Sequence, residues 1–201
     1  MSGSAEHPAY LKVALGSFLE LVSAPGPAPG GGSVAALAVS LAAGLCVMSA
    51  RLSTRQLPDA PALAITAEHL RDRAAALCQA DADAYGLLVS ASRDRCEPDP
   101  AERRLRIAAA LSKATDVPLE VAETGAAVVA LAARIGECGN PHLLGDAVTA
   151  ALLAEAGTKA AAALVLINLE DLGDDTRRDR VAELLKKSAD GAARARRLVE
   201  L

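Results

Sequence analysis

The sequence predicts an all-α protein, a compact multihelical bundle built around a buried, alanine-rich central helix. The 201 residues are 52% apolar, largely through alanine and leucine, which favour helices. Aromatic residues make up 1% of the chain, and strand-forming residue types are scarce. Apolar residues recur at spacings of three and four, the period of one helix face. A chain of this length is most simply one domain, residues 1–201, long enough to bury a core.

Composition argues against several classes of function. A net charge of -4 and the scarcity of aromatic side chains argue against nucleic acid as a partner. The N-terminus lacks a charged-then-apolar signal pattern, so we expect a cytoplasmic protein. Cysteines and histidines are scattered without metal-ligand spacing, so we predict free thiols and no metal site: Cys46, Cys78, Cys96, Cys138, His7, His69 and His142.

The first predicted helix spans residues 8–22 and ends at Ala24-Pro25. A stiff, glycine-rich loop follows, Pro25-Gly-Pro-Ala-Pro-Gly-Gly-Gly-Ser33, in which Ser33 is a good N-cap for the next helix. A glycine-rich turn at a helix N-terminus is suited to binding a polar ligand. A tight connection into a buried helix explains the loop equally well. Both interpretations stay open for Gly30, Gly31, Gly32 and Ser33.

The segment from Val34 to Ala50 contains no charged residue and predicts a helix that is apolar all round, central to the bundle. It is shorter than the ~20 residues of a membrane span and is rich in alanine, so we favour a soluble bundle with no membrane contact. Small side chains recur along one stripe, which predicts close packing against a neighbouring helix: Ser33, Ala36, Ser40, Ala43, Gly44 and Val47.

A long helix is predicted over residues 62–92, and Asp81 and Tyr85 share one of its faces because they are four residues apart. On an apolar face, Asp81 would have a raised pKa and be suited to general acid or base work. A solvated aspartate on an amphipathic helix is the simpler alternative. Asp83 points elsewhere.

Capping patterns place the later helices. A helix over residues 100–113 is predicted to end where Thr115 or Asp116 caps a new one, with Pro118 in its first turn. After residues 119–135, Gly139 ends a helix, Asn140 caps the next one and Pro141 occupies its first turn. Asp146 follows early in that helix, where the macrodipole stabilises its charge. Apolar residues 147–169 and a basic amphipathic C-terminal helix complete the bundle.

Several of these segments together resemble the cyclodeaminase/methenyltetrahydrofolate cyclohydrolase family of folate enzymes, from Gly16 to about Asp175. The order and spacing of the motifs carry the resemblance: Pro27-Ala-Pro-Gly-Gly-Gly-Ser33, Met48-Ser-Ala-Arg-Leu-Ser53, Asp81-x-x-Ala-Tyr85, Lys113-Ala-Thr-Asp-Val-Pro118, Gly139-Asn140, Asp146 and Ile167-Asn168.

The resemblance implies an all-helical homodimer with folate sites near the subunit contact, and no metal or redox cofactor. It implies hydrolysis of 5,10-methenyltetrahydrofolate to 10-formyltetrahydrofolate, or, as an alternative, cyclisation of 5-formiminotetrahydrofolate with release of ammonia. Asp81 and Asp146 are then the expected catalytic carboxylates. The expected contacts to the folate substrate are Gly30, Gly31, Gly32, Ser33, Tyr85, Asn140 and Asn168.

Three departures from the family pattern keep a further alternative open, a diverged folate-binding or assembly protein without turnover. The family often has a Leu-Pro-Lys segment shortly after the aspartate and its aromatic partner, whereas residues 92–98 contain Arg93 and Arg95 but no lysine. Leu164 stands where the family tends to have asparagine. Gly145 precedes Asp146 where serine is common.

Overall fold

The computed structural model describes residues 8–26, 28–94, 99–173 and 176–200. Pro27, Arg95 and Cys96 lie outside these ranges. The described residues form helices: α1 (Leu15–Ser23), α2 (Gly31–Arg51), α3 (Ala60–Arg93), α4 (Pro100–Cys138), α5 (Leu144–Glu170) and α6 (Arg177–Arg197). Two short 3₁₀ turns precede α1 and α5, at Tyr10–Lys12 and Pro141–Leu143. The predicted all-α class is confirmed.

The helices form a bundle in which α2 lies between α3 and α5, while α4 packs against α2, α3, α5 and α6. α6 packs against α4 and α5. The core consists largely of alanine and valine, and α2 contributes some of its most deeply buried side chains, including Ala36, Val39 and Ala43. The prediction of a buried, alanine-rich central helix is therefore confirmed.

Glycines let the central helices approach one another closely and set their register. A Cβ placed on Gly157 in α5 would lie 2.7 Å from Val39 Cγ2 and 3.1 Å from the Ala35 carbonyl oxygen in α2. A Cβ on Gly125 in α4 would lie 2.3 Å from Thr158 Oγ1 in α5. Since neither position has room for a methyl group, these helices pack backbone against backbone.

The structure corrects two of the predicted helices. The first, predicted over residues 8–22, begins only at Leu15, because the chain forms a separate 3₁₀ turn at Tyr10–Lys12 and is extended at Val13. α4 continues through Pro118 as one helix, so the predicted break at Thr115 or Asp116 is wrong. Thr115 Oγ1 instead donates to the Leu111 carbonyl one turn earlier, and Pro118 is buried in the bundle. A proline inside a helix costs about 3 kcal/mol, so tertiary packing on both sides of Pro118 must outweigh this cost.

Two predicted caps have different outcomes. α2 begins at Gly31 with Gly30 as its N-cap, so Ser33 lies in the first turn and is not the cap. Asn140 does cap the turn that leads into α5, because its Oδ1 accepts from the His142 N–H at 3.0 Å.

The expected free thiols are confirmed at Cys46, Cys78 and Cys138.

The small-residue stripe of α2 faces the core except at Gly44. Ser33, Ala36, Ser40 and Ala43 are buried, as predicted for a close helix contact. Gly44 is only half-buried, and a Cβ placed on it would meet nothing within 4 Å. A glycine inside a helix costs roughly 0.5–1 kcal/mol relative to alanine, and the fold of a single chain gives no reason for it here.

Two helical segments, α2 and Pro141–Glu170, are long and apolar enough by length and composition to cross a membrane. In α2, 61% of the apolar window is buried inside the bundle, and in Pro141–Glu170 the share is 50%. Core helices of soluble proteins pass the same test, so this is weak evidence for a span. Packing between α3 and α5 accounts for most of the apolar character of α2.

The Gly157 contact makes a testable prediction about stability. We expect Gly157→Ala to lower the free energy of unfolding by ~1–3 kcal/mol, because the added methyl group overpacks the α2–α5 contact. Gly145→Ala in the same helix is the control, since a Cβ there meets nothing within 4 Å. Urea unfolding of both variants would measure the difference. Equal stabilities would contradict the tight contact.

Candidate active site at the start of helix α2

The carboxylate of Asp81 lies against the first turn of α2. Ser33 Oγ donates to Asp81 Oδ2 at 3.1 Å, and the Ser33 backbone N–H also stabilises the carboxylate. Gly32 makes this approach possible, because a Cβ on Gly32 would lie 2.0 Å from Asp81 Oδ1. Asp81, from α3, therefore supplies the anionic group at the N-terminus of α2, where the cap residue Gly30 provides no side chain.

Burial raises the pKa of Asp81, and the Ser33 hydroxyl and backbone N–H partly oppose this effect. The side chain is nevertheless only half-buried, so one part of it remains open to solvent. A carboxylate that is oriented by hydrogen bonds and has a raised pKa is suited to accept a proton near neutral pH. Of the two alternatives left open for Asp81, the raised pKa and partial burial fit the carboxylate on an apolar face better than the solvated aspartate.

The N-terminal segment lies beside Asp81, which the sequence did not predict. The Tyr10 backbone N–H donates to Gln79 Oε1 at 3.1 Å, and Gln79 Nε2 donates to Asp83 Oδ1 at 3.1 Å. The Tyr10 ring is buried and packs edge to face on Phe18, with ring centroids 5.7 Å apart. Burial raises the pKa of Tyr10, and Cys78, Asp83 and Asp81 raise it further.

Cys78 lies one helical turn before Asp81 but has no nucleophilic character. Burial, and next the charge of Asp81, raise the pKa of this thiol to about 11. A thiol with such a pKa is protonated at neutral pH. Of these two groups, the carboxylate of Asp81 is therefore the one suited to proton transfer.

The C-terminal half of α5 reaches the same end of the bundle. Leu164 Cδ1 would be 3.9 Å from a Cβ on Gly31, so this leucine lies beside the start of α2, where Gly31 itself is exposed. Asn168 lies one turn further along the same side of α5 and is half-buried. Tyr85, one turn after Asp81, has 45% of its surface exposed and extends the face of α3 that carries Asp81.

Asp146 does not join Asp81 within one chain. It lies in the first turn of α5, 18 residues before Leu164 and therefore about 27 Å away along the helix. From the Gly157–Val39 contact, the antiparallel register places Asp146 level with Ala50, at the far end of α2. Its side chain is half-buried, and its carboxylate makes no hydrogen bond or ion pair with the residues the structure describes.

Asn140 also lies at the far end, where it has a structural role. Its Nδ2 donates to the Leu52 carbonyl at 3.2 Å, and its backbone N–H donates to Ser53 Oγ at 2.9 Å. Together with its cap on His142, these bonds tie the start of α5 to the end of α2. The sequence motifs that contain Ser53 and Asn140 therefore meet in space, at the end opposite Asp81.

Lys113 is a basic residue at the level of Asp81. Ion pairs between α3 and α4, Arg73–Glu120 and Asp94–Arg106, set an antiparallel register that places Lys113 opposite α3 between residues 80 and 87. Lys113 is exposed. Arg93 lies farther along, at the end of α3.

No group of three or more metal-ligating side chains occurs within residues 8–26, 28–94, 99–173 and 176–200. The arrangement that the structure does provide is an oriented carboxylate, an adjacent helix N-terminus and nearby amide and aromatic side chains. Such a set can stabilise a positive charge and accept a proton from water.

Residues 14–187 match a family model described as formiminotransferase-cyclodeaminase. The chain belongs to this family. It is 30% identical to the methenyltetrahydrofolate cyclohydrolase of Methylorubrum extorquens, over 92% of this chain and 93% of that protein. It is 31% identical to the rat formimidoyltransferase-cyclodeaminase over 94% of this chain, and it spans 37% of the length of that relative.

The fold of this family member is shared with a solved structure. The formiminotetrahydrofolate cyclodeaminase of Thermotoga maritima superposes with a TM-score of 0.82 over 94% of this chain and 97% of that chain. The sequence identity to this enzyme is 24%, so this comparison supports the fold alone.

The contact between Gly32 and Asp81 predicts that the two neighbouring glycines differ in their tolerance of a methyl group. We expect Gly32→Ala to displace the Asp81 side chain while leaving the helices intact, because the obstructing atoms are the end of a side chain. In Gly31→Ala the nearest atom is 3.9 Å away, so Asp81 stays in place. The measurement is the pKa of Asp81 by carboxyl-carbon NMR in both variants. A Gly32→Ala protein with the parent pKa would contradict the contact.

Proposed function

We propose that this family member hydrolyses 5,10-methenyltetrahydrofolate to 10-formyltetrahydrofolate. Water adds to the carbon that bridges N5 and N10 of the folate and loses a proton. The bond between that carbon and N5 then breaks, which leaves the formyl group on N10 and a hydrogen on N5. Overall one water molecule is consumed and one proton is released. Neither a metal nor a redox cofactor takes part in this proposed reaction.

The Asp81 site is the observation that carries the proposal. The bridging carbon of the methenyl substrate belongs to a cation that is delocalised over N5 and N10, and a half-buried carboxylate is complementary to such a charge. The same carboxylate can take the proton from the attacking water. Because Ser33 orients Asp81, the carboxylate does not have to reorganise during the reaction.

The groups around Asp81 suit the flat ring system of a folate. Tyr85 offers an exposed aromatic side chain one turn from the carboxylate, and Asn168 offers amide hydrogen bonds near the glycine loop. Gly30 and Gly31 leave the loop backbone accessible. Gly32 and Ser33 act through Asp81, since both face its carboxylate.

Formiminotetrahydrofolate cyclodeaminase is the second candidate function. It is favoured by the 31% identity to the rat enzyme. We place the cyclohydrolase first because the Methylorubrum extorquens enzyme of that name matches over nearly its whole length. In addition, ammonia release requires protonation of an amine leaving group, and an arginine in place of lysine does not exchange protons at neutral pH.

A homodimer in the cytoplasm is part of the proposal. α2 and α5 expose apolar residues at helical spacing, which we call the apolar face: Val34, Leu41, Met48, Leu153, Ala156, Ala160, Ala163 and Ile167. Large exposed apolar surfaces mark sites of association. Lys159 is the charged residue closest to these positions in α5, and it is paired with Glu155.

Replacement of the carboxylate tests the proposed base. We expect Asp81→Asn to lower turnover of methenyltetrahydrofolate by about 10²–10⁴-fold, because it keeps the shape of the side chain but removes proton acceptance. The assay follows the ultraviolet absorbance of the substrate against its spontaneous hydrolysis. Asp83→Asn is the control, since Asp83 is exposed and bonded to Gln79. Equal rates for the two variants would exclude Asp81 as the base, and a parent protein that binds folate without turnover would favour a diverged binder.

The hydrogen bond from Ser33 makes a prediction about pH. This bond lowers the pKa of Asp81, so its removal in Ser33→Ala raises that pKa further. A general base acts only when deprotonated, and the acid limb of kcat/KM should therefore move to higher pH. Ser40→Ala is the matched control, because this buried serine of α2 donates to the Arg71 carbonyl at 3.0 Å. An acid limb that stays in place in Ser33→Ala would contradict the role of the bond.

A further inference from the structure

The N-terminal segment of residues 10–23, which we call the strap, is fixed at both ends to the rim of the Asp81 site. At one end, the Tyr10 backbone N–H donates to Oε1 of Gln79, which lies two residues before Asp81 in α3. At the other end, α1 stops and residues 24–30 lead directly into the first turn of α2, which contacts the Asp81 carboxylate. The strap therefore borders the site on the side of the glycine loop.

Few contacts hold the strap on the bundle. Phe18 is the one buried residue of α1, and its ring packs edge to face on the buried ring of Tyr10. The half-buried Leu21 adds a contact with the core. Val13 is extended, so α1 is not continuous with the 3₁₀ turn that is bonded to α3. Segments with so little buried apolar surface open locally at a low cost in free energy.

α1 also carries an exposed apolar stripe, which we call the α1 stripe: Leu15, Leu19 and Val22. These residues lie at helical spacing beside Phe18 and are 70%, 61% and 39% exposed. Contiguous exposed apolar surface marks a binding site. α1 has nine residues and is therefore about 13 Å long. Because the strap is fixed on both sides of Asp81, the flat faces of a folate ring system bound there lie within its reach.

Gln79 joins the strap to α3 with both ends of its amide. Its Oε1 accepts from the Tyr10 N–H and its Nε2 donates to Asp83 Oδ1, each at 3.1 Å. A backbone N–H needs an acceptor and a carboxylate needs a donor, so these two partners fix the orientation of the amide. Gln79 thus sets the position of the strap next to Asp81.

We infer that the strap closes over a folate bound at Asp81, with the α1 stripe against the flat face of the folate, and that Gln79 is the positioning residue that holds the strap in place. The inference rests on the proposed function for the identity of the ligand. An apolar cover lowers the local dielectric constant around the folate cation and strengthens its attraction to the Asp81 carboxylate. The exposed leucines of α1 then have a partner in the bound state.

Replacement of Gln79 tests the positioning role. We expect Gln79→Ala to raise the KM for methenyltetrahydrofolate and the Kd for 5-formyltetrahydrofolate by about 3–10-fold, the effect of one lost hydrogen bond. The value of kcat should change little, because Asp81 and Ser33 keep their contact. Gln56→Ala is the matched control, since Gln56 is the other glutamine of the chain and is exposed beyond the far end of α2. Equal KM values in the two variants would overturn the role of Gln79.

An exchange of the two side chains tests whether the bond itself matters. In the double variant Gln79→Glu with Asp83→Asn, the carboxylate at position 79 still accepts from the Tyr10 N–H, and the amide at position 83 donates to it. The net charge beside Asp81 is unchanged. We expect the KM to return to the parent value, whereas a KM like that of Gln79→Ala would overturn the latch. Asp83→Asn alone keeps an acceptor for Gln79 and should resemble the parent.

The α1 stripe is tested by two equally exposed leucines. We expect Leu15→Ser to weaken binding of 5-formyltetrahydrofolate by about 3–10-fold, because the complex loses apolar contact area. Leu105→Ser in α4, where the leucine is also 70% exposed, should leave the affinity unchanged. Both variants should fold, since neither side chain is packed in the free protein. Hydrogen exchange should show that the amides of α1 become protected when 5-formyltetrahydrofolate binds to the parent protein.

The outcomes separate the strap from the function on which it rests. Turnover without protection of α1, or equal folate affinities for Leu15→Ser and Leu105→Ser, would overturn the strap alone. A lower mass by light scattering for Leu15→Ser, with unchanged folate affinity, would assign the α1 stripe to a contact between copies and would also overturn it. Protection of α1 without turnover would support the strap and contradict the proposed hydrolysis. A parent protein that binds no folate would contradict both.

Discussion

The seating of the Asp81 carboxylate against the first turn of α2 is the contact on which the rest of the candidate site depends. It needs a glycine at position 32, because any larger residue would occupy the place of Asp81 Oδ1. It also needs Ser33 in the first turn, where the hydroxyl and backbone N–H orient the carboxylate. Gly32 and Ser33 therefore contact the Asp81 carboxylate of the protein itself. They would influence a bound ligand by holding this carboxylate in place.

The bundle provides this contact by packing α2 very closely against its neighbours. Gly157 and Gly125 let the helices approach so closely that a side chain would not fit at either position. The rest of the core consists largely of alanine and valine. Close packing fixes the register of α2 against α3 and α5, and thereby the position of Asp81. The same register separates the Asp81 end from the Asn140–Asp146 end by most of the length of α2, so the two groups of motif residues serve different ends of the molecule.

The helical class and the central helix could be predicted from the sequence because local signals agree with the fold there, and the same kind of signal singles out Asp81 as a candidate site residue. Helix periodicity, a glycine loop and an aspartate one turn before Tyr85 are all local patterns. The continuity of α4 through Pro118 could not be predicted, since packing outweighs the local preference. Nor could the role of Ser33, whose partner Asp81 is 48 residues away, or the distance between Asp81 and Asp146, which depends on tertiary register.

The central claim, that the carboxylate held by α2 faces the reacting carbon of a folate, is tested most directly by a crystal structure with 5-formyltetrahydrofolate, a stable analogue of the proposed substrate and product. The account predicts that Asp81 keeps its hydrogen bond from Ser33 and lies within contact distance of the one-carbon group, with Tyr85 and Asn168 beside the folate. A folate bound away from the start of α2, with Asp81 covered by protein, would contradict it.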